Sequence, residues 1–198
     1  FYGNSDGQYG QGTPAISIPN PTVLDSVGID QKMGDTIPLE LKFQDESGQA
    51  VRLGSFFGDK PVILVPAYYE CPMLCTQVLN GLLMGLRPLS LTAGVDFEIV
   101  TFSIDPGEGA ELAAAKKIVY NEGYGRNKDG WRFLTGDFQS IKQLTDALGY
   151  HFAHDPETDE YIHASGIMLV TPRGKLARYL FGVEFAPRDI KLGLIEAS

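Results

Sequence analysis

The chain contains few of the residues that build disulfide frameworks or metal-rich sites. Its 198 residues include two cysteines, three histidines and one tryptophan. Two cysteines cannot form the framework that stabilises small secreted domains. A chain of this length with 43% hydrophobic residues has a core large enough to fold without one. The cysteine pair is therefore better explained by function than by stability.

Basic residues are outnumbered by acidic ones, with 16 Lys and Arg against 25 Asp and Glu, which gives a net charge of −9 and a pI of about 4.7. Such a surface repels nucleic acid and anionic membranes, so the charge argues against both as partners. No apolar run reaches the roughly 18–20 residues of a membrane-spanning helix. The sequence begins at Phe1 and shows no signal peptide, so we expect a mature or trimmed form.

The composition divides the chain into two parts. Residues 1–20 are rich in Gly, Asn, Gln and Ser, which predicts a flexible leader. We expect residues 21–198 to form a single domain. "IPLELKF" and "QAVRL" alternate around "DESG" and predict a β-hairpin. "PVILVPAYY" and "DFEIVTFSID" are typical of strands buried on both faces.

Helices are predicted between and after these strands. Apolar residues at helical spacing predict a helix from about Cys71 to about Leu86, and "GAELAAAKKIVYNEG" predicts another that ends at Gly123. Asp137 is the expected N-cap of "FQSIKQLTDALG", and Pro187 begins a last helix. "SGIMLVTPRGKLARYLFG" predicts a hairpin between them. This order predicts an α/β, thioredoxin-like fold: a central mixed β-sheet with helices on both faces and an added N-terminal β-hairpin.

Both cysteines lie in "YYECPMLCTQVLNG", at the point where a predicted strand gives way to a helix. A helix N-terminus favours thiolate over thiol. Cys71 and Cys75 are spaced i, i+4, which brings both side chains onto one face of a helix if both are helical. Two such sulfurs suit a soft metal ion, Cu(I) or Zn(II), although a disulfide or a redox pair also satisfies the spacing.

The three histidines decide between these alternatives. His163 precedes the predicted strand "GIMLV", at the point where thioredoxins carry a proline that faces the active-site helix. We therefore predict His163 as the third metal ligand. His151 and His154 lie in "GYHFAHDPETDEY", a polar loop or strand edge, where solvated surface histidines are expected.

Two further residues have alternative interpretations. Asp105 ends a predicted strand in "SIDP", where it either orients a metal ligand by a hydrogen bond or caps the next turn. Met73 lies between the cysteines, but its position on a helix favours packing over copper binding. Tyr68, Tyr69 and Glu70 lead into the site and are expected to shape its rim.

Together, "YYECPMLC", "TFSIDP" and the isolated His163 before "GIMLVTPRGKL" resemble the Sco/SenC family of thioredoxin-like copper-binding proteins. The resemblance runs from about Asp35 to the C-terminus. It implies a Cys71–Cys75–His163 site for one Cu(I) or Cu(II), and a role in assembling the copper A centre of cytochrome c oxidase. Thr76 and Ile162 depart from the family's usual residues beside the second cysteine and the histidine.

The resemblance also implies partners and a location. These are the oxidase subunit that carries the copper A site, a thiol reductant or copper donor, and an extracytoplasmic position with a membrane anchor outside this sequence. A thiol–disulfide oxidoreductase is the alternative function, with Cys71 attacking and Cys75 resolving. A peroxidase of the same fold fits the cysteine pair poorly, and a purely structural module stays open.

Overall fold

The structure is a computed structural model that describes residues 24–71, 74–127 and 129–198, without the side chains of Leu74 and Cys75. The predicted leader, residues 1–20, lies outside the described residues, as do Pro72 and Met73.

The centre of the domain is a five-stranded mixed sheet of order β10-β9-β4-β5-β6. Four strands run in one direction, and β9, which pairs antiparallel with both β4 and β10, runs in the other. The strands of common direction are β4 (Val62–Ala67), β5 (Glu98–Ser103), β6 (Trp131–Leu134) and β10 (Leu176–Phe181), and the reversed strand is β9 (Gly166–Val170). Every residue of β4 is buried. The two continuous apolar runs and the last hairpin are therefore confirmed as strands of one sheet.

Four α-helices are present in the described part of the chain. They are α1 (Leu74–Leu86), α2 (Ala110–Tyr124), α3 (Phe138–Leu148) and α4 (Pro187–Ala197). All four correspond to predicted helices, and Pro187 begins α4 as expected.

The helix ends agree with the sequence signals in one case and differ in another. Asp137 caps α3 as predicted, because its carboxylate accepts the Ser140 N–H at 2.7 Å. The predicted end of α2 at Gly123 is wrong: the helix continues to Tyr124. Gly125, at φ 73°, supplies the left-handed residue that ends it.

Two hairpins accompany the central sheet. β2 (Lys42–Gln44) and β3 (Ala50–Arg52) pair antiparallel and confirm the N-terminal hairpin, with shorter strands than the pattern predicts. β7 (Tyr150–Asp155) and β8 (Glu160–His163) form the second, and β7 also pairs with β1 (Gly28–Ile29). The segment expected to be a polar loop or strand edge is therefore a strand pair.

The core lies on both faces of the sheet because successive residues of each strand point to opposite sides. On one face, Ile63 and Val65 of β4 pack with residues of α1, α2 and α4. On the other face, Val62 and Leu64 pack with α3, the N-terminal hairpin and Tyr150. This two-sided burial confirms the predicted layers. Within the described residues, no helix is long and apolar enough to cross a membrane.

Candidate metal site

Cys71 lies in a turn that follows β4, four residues beyond Ala67. Its N–H donates to the Tyr68 carbonyl at 3.1 Å, and it is not part of α1. The described part of the helix begins at Leu74, and because Cys71 itself is not helical, the i, i+4 argument for a shared helix face does not apply to it. The Cys71 side chain is partly exposed and packs against the core cluster that contains Tyr68. A ligand in solution can therefore reach it.

Cys75 lies in the first turn of α1, but its side chain is outside the described part of the structure. Its role as the second sulfur ligand remains a prediction. Met73, whose packing role was expected, lies between the two cysteines and outside the described residues.

His163 ends β8 and is 8% exposed. Its Nδ1 lies 2.9 Å from the Ala164 carbonyl oxygen. A carbonyl oxygen can only accept, so Nδ1 carries the proton and the lone pair of the neutral ring is on Nε2. Metal-binding histidines commonly donate their second ring N–H to a carbonyl in this way. The ring also lies 6.4 Å, between centroids, from Tyr150.

Strand directions bring the chain segments of Cys71 and His163 to the same edge of the sheet. β9 runs antiparallel to β4, with Val62 opposite Val170 and Leu64 opposite Met168. The start of β9 at Gly166 is therefore beside the end of β4. His163 comes three residues before this start, and Cys71 comes four residues after the end of β4. This edge is the carboxyl end of the parallel strands, where α/β proteins commonly place their sites.

His151 and His154 lie on β7 of the same hairpin and are exposed, as expected. Each pairs with a carboxylate through Nε2 at 2.8 Å, His151 with Asp30 and His154 with Asp159. Their imidazoles are therefore engaged at the surface.

Asp105 follows β5 at this same edge and caps a turn. Its Oδ1 accepts the Gly107 N–H at 2.7 Å and lies 3.5 Å from the hydroxyl of Tyr161. Of the two interpretations, the cap is the one whose hydrogen bonds are present. A hydrogen bond from Asp105 to a metal ligand remains a prediction.

Glu108 is a site residue that the sequence reasoning missed. It is buried, and its carboxylate accepts the N–H groups of Tyr69 at 3.1 Å and Glu70 at 2.8 Å, directly before Cys71. It also accepts the Ser103 hydroxyl. The surrounding "PGEGAE" is polar and glycine-rich, so it gives no sequence signal for a buried carboxylate.

The carboxylates of Asp105 and Glu108 make this edge electrostatically negative, and the pKa values of the neighbouring tyrosines reflect it. Burial first, and then the charges of Asp105 and Glu108, raise the pKa of Tyr68 to about 12. Burial and Asp105 also raise the pKa of Tyr161. Burial raises the pKa of Glu108, although its hydrogen bonds from Ser103, Glu70 and Tyr69 oppose this. Such surroundings favour a cation over an anion.

The described side chains alone do not form a complete metal centre. Among them, no group of three or more His, Cys, Asp and Glu could hold a metal ion. This search does not include the Cys75 side chain. The predicted donor set, two thiolates and one imidazole, nevertheless has the chemistry that copper prefers.

The model of the SCO1/SenC family matches residues 30–191. The chain belongs to this family. It is 31% identical, over 165 residues, to the SCO1 protein homolog of Bacillus subtilis (strain 168), covering 80% of this chain and 82% of that protein. Cys71, Cys75 and His163 lie within the residues 30–191 that the family model spans.

Solved Sco structures share the fold, which confirms it as thioredoxin-like. BsSco is described as a member of the Sco family of cytochrome c oxidase assembly proteins with a disulfide switch. It superposes with a TM-score of 0.64 at 26% identity, covering 86% of this chain and 96% of that one. Yeast Sco1, solved with copper bound, superposes with a TM-score of 0.61 at 20% identity, covering 84% and 90%.

Proposed function

We propose that the protein is a copper metallochaperone that binds one copper ion through Cys71, Cys75 and His163 and passes it to a cytochrome c oxidase subunit. The observation that carries this proposal is the family match, because all three residues lie within residues 30–191. BsSco, with which this chain shares the fold, is named as belonging to a family of oxidase assembly proteins.

The chemistry of the residues supports copper as the cargo. Thiolates and imidazole together suit both Cu(I) and Cu(II). The Nδ1–H of His163 donates to the Ala164 carbonyl, which orients the ring so that Nε2 is the nitrogen that would bind copper. Cys71 is partly exposed, so copper can pass to a partner by exchange of one thiolate for another.

Titration of the reduced protein tests the proposal. We expect one equivalent of Cu(II) to produce a thiolate-to-copper charge-transfer absorbance, and Cu(I) to bind in competition with a chelator. The proposal fails if neither signal appears at one equivalent.

A second function is a thiol–disulfide oxidoreductase, in which Cys71 attacks a disulfide and Cys75 resolves the mixed disulfide. Two observations favour it: Cys71 is partly exposed, and a disulfide switch is described for BsSco, which shares the fold. His163→Ala separates the two functions. It should remove most of the copper affinity and preserve much of the exchange rate with a small disulfide.

The proposed partner is the oxidase subunit that carries the copper A site, together with a thiol reductant or copper donor that keeps the cysteines reduced. We propose an extracytoplasmic location with a membrane anchor. Protease accessibility of the native protein in intact cells and in lysed cells tests the location. If the protein is protected in intact cells whose cytoplasmic membrane has its outer face exposed to the protease, the proposed location is contradicted.

A further inference from the structure

We propose that Glu108 is a positioning residue for the copper site. Its carboxylate fixes the backbone of Tyr69 and Glu70 and thereby the place of Cys71. This inference rests on the proposed copper function and assigns to that site a residue that no sequence motif indicates.

Both oxygens of the Glu108 carboxylate bind the segment that carries Cys71. Oε2 accepts the Tyr69 N–H at 3.1 Å, and Oε1 accepts the Glu70 N–H at 2.8 Å. Consecutive N–H groups in a turn form a natural seat for an anion, and here the chain's own carboxylate occupies it. Cys71 is the next residue, and its N–H closes the same turn onto the Tyr68 carbonyl. The backbone N–H groups of Tyr69, Glu70 and Cys71 are therefore all engaged in hydrogen bonds.

The Glu108 side chain is itself held from the neighbouring strand. It accepts the hydroxyl of Ser103, the last residue of β5. Its N–H donates to the Asp105 carbonyl at 3.2 Å, and Asp105 in turn accepts the Gly107 N–H. The loop after β5 is thus linked through one carboxylate to the loop after β4. A displacement of either loop would move Cys71.

Comparison with Glu46 shows that Glu108 differs from an ordinary structural carboxylate. Glu46 accepts the Phe133 N–H at 2.8 Å and also pairs with Arg132 at 3.2 Å and Lys117 at 3.8 Å. Among the described residues, no lysine, arginine or histidine forms an ion pair with Glu108. The negative charge beside Cys71 is therefore not balanced by a basic side chain of the described part. A bound copper ion would be stabilised by this charge as well as by the fixed backbone.

Glu108→Gln tests the inference because it keeps the shape but replaces one acceptor oxygen with a donor NH₂. That group would face a backbone N–H, so at least one of the two backbone hydrogen bonds is lost. In the reduced, metal-free protein we expect amide hydrogen exchange at Tyr69 and Glu70 to accelerate about tenfold, while Ile63 in β4 stays protected. Copper affinity should fall by about tenfold or more, the cost usual for an outer-shell partner.

Three variants control for charge, reach and stability. Glu111→Gln removes the same charge from an exposed residue on the first turn of α2, and should bind copper as the wild type does. Glu108→Asp keeps the charge but shortens the reach, so an intermediate loss would assign the effect to geometry. Leu194→Ala removes core packing on α4, which contributes no predicted ligand, and should lower stability without changing copper affinity.

The outcomes separate this inference from the proposed function. If the wild type binds copper and Glu108→Gln binds it equally well, Glu108 is only structural and the inference is overturned, whatever the exchange rates. Absence of copper binding by the wild type would overturn the proposed function and with it the copper role of Glu108. If Glu108→Gln does not fold, Ser103→Ala, which loses one bond to the same carboxylate, should show a smaller acceleration at Tyr69 and Glu70. Unchanged exchange in that variant would overturn the inference.

Discussion

The two strands of the β7–β8 hairpin carry all three histidines of the chain in different surroundings. His163 on β8 is 8% exposed and directs Nδ1 to a backbone carbonyl. On β7, the side chains of His151 and His154 are 44% and 42% exposed and direct Nε2 to surface carboxylates. A metal-binding histidine can direct its second ring nitrogen to a carbonyl or to a carboxylate, so burial at the edge that carries Cys71 is what sets His163 apart from the two exposed histidines. The surroundings of each histidine, and not the number of histidines, therefore distinguish the candidate ligand.

The largest expected effect on copper binding is that of Cys71→Ser, which replaces a predicted thiolate ligand at the same edge of the sheet as His163. We expect loss of the thiolate-to-copper charge-transfer absorbance and of stoichiometric Cu(I) binding, because a hydroxyl is a poor ligand for a soft metal. Absorbance and competition titrations measure this, and circular dichroism checks the fold. Copper affinity equal to that of the wild type would rule Cys71 out as a ligand.

The variants His163→Ala and His154→Ala test whether the surroundings of a histidine determine its contribution to copper affinity. We expect His163→Ala to weaken copper binding by more than the roughly 10–100-fold that loss of an outer-shell partner costs. His154→Ala should leave the affinity unchanged, because its imidazole is paired with Asp159 at the surface. Competition titration with Cu(I) measures both. Equal losses in the two variants would show that burial and orientation do not select the ligand.

The buried carboxylate of Glu108 should make the difference in stability between the wild type and Glu108→Gln depend on pH. Burial raises the pKa of Glu108 in the folded state. The folded protein therefore holds this proton more tightly than the unfolded chain does. The stability that the proton contributes is present below the unfolded pKa and is lost as pH rises through the folded one. Glu108→Gln cannot titrate at this position.

The free energy of unfolding of the wild type minus that of Glu108→Gln should therefore be larger at pH 4 than at pH 7. Urea denaturation at both pH values measures it, with Glu111→Gln as the exposed control. A difference that grows toward pH 7 would mean that the hydrogen bonds of the carboxylate outweigh its burial.

The smallest expected effect is on stability at the exposed end of the hairpin. His154→Ala removes an exposed ion pair, which contributes about 0.2–1 kcal/mol. Chemical denaturation near pH 6 should show a loss within this range, and one that decreases at high salt. A loss several times larger, without salt dependence, would show that His154 supports the core.

Much of this fold could be predicted from the sequence because local signals and burial agree. The continuous apolar run of β4, the Asp137 cap and Pro187 at the start of α4 each have a physical cause within a few residues. The β7–β8 hairpin was less evident, because the exposed His151 and His154 made a partly buried strand pair look like a polar loop or strand edge.

The candidate site could be predicted only where its residues have a distinctive chemistry. Cys71, Cys75 and His163 are identifiable by type and by position relative to the strands. Glu108 is not, because its role depends on the turn that brings the loop after β5 to the backbone of Tyr69 and Glu70. Long-range hydrogen bonds to backbone leave no pattern in the sequence.

X-ray absorption at the copper edge, on the reduced protein loaded with one equivalent of Cu(I), tests whether Cys71, Cys75 and His163 bind the metal. We expect two sulfur ligands and one nitrogen ligand, with the nitrogen lost in His163→Ala and retained in His154→Ala. A wild-type spectrum without the nitrogen ligand, or one that His163→Ala leaves unchanged, would contradict it.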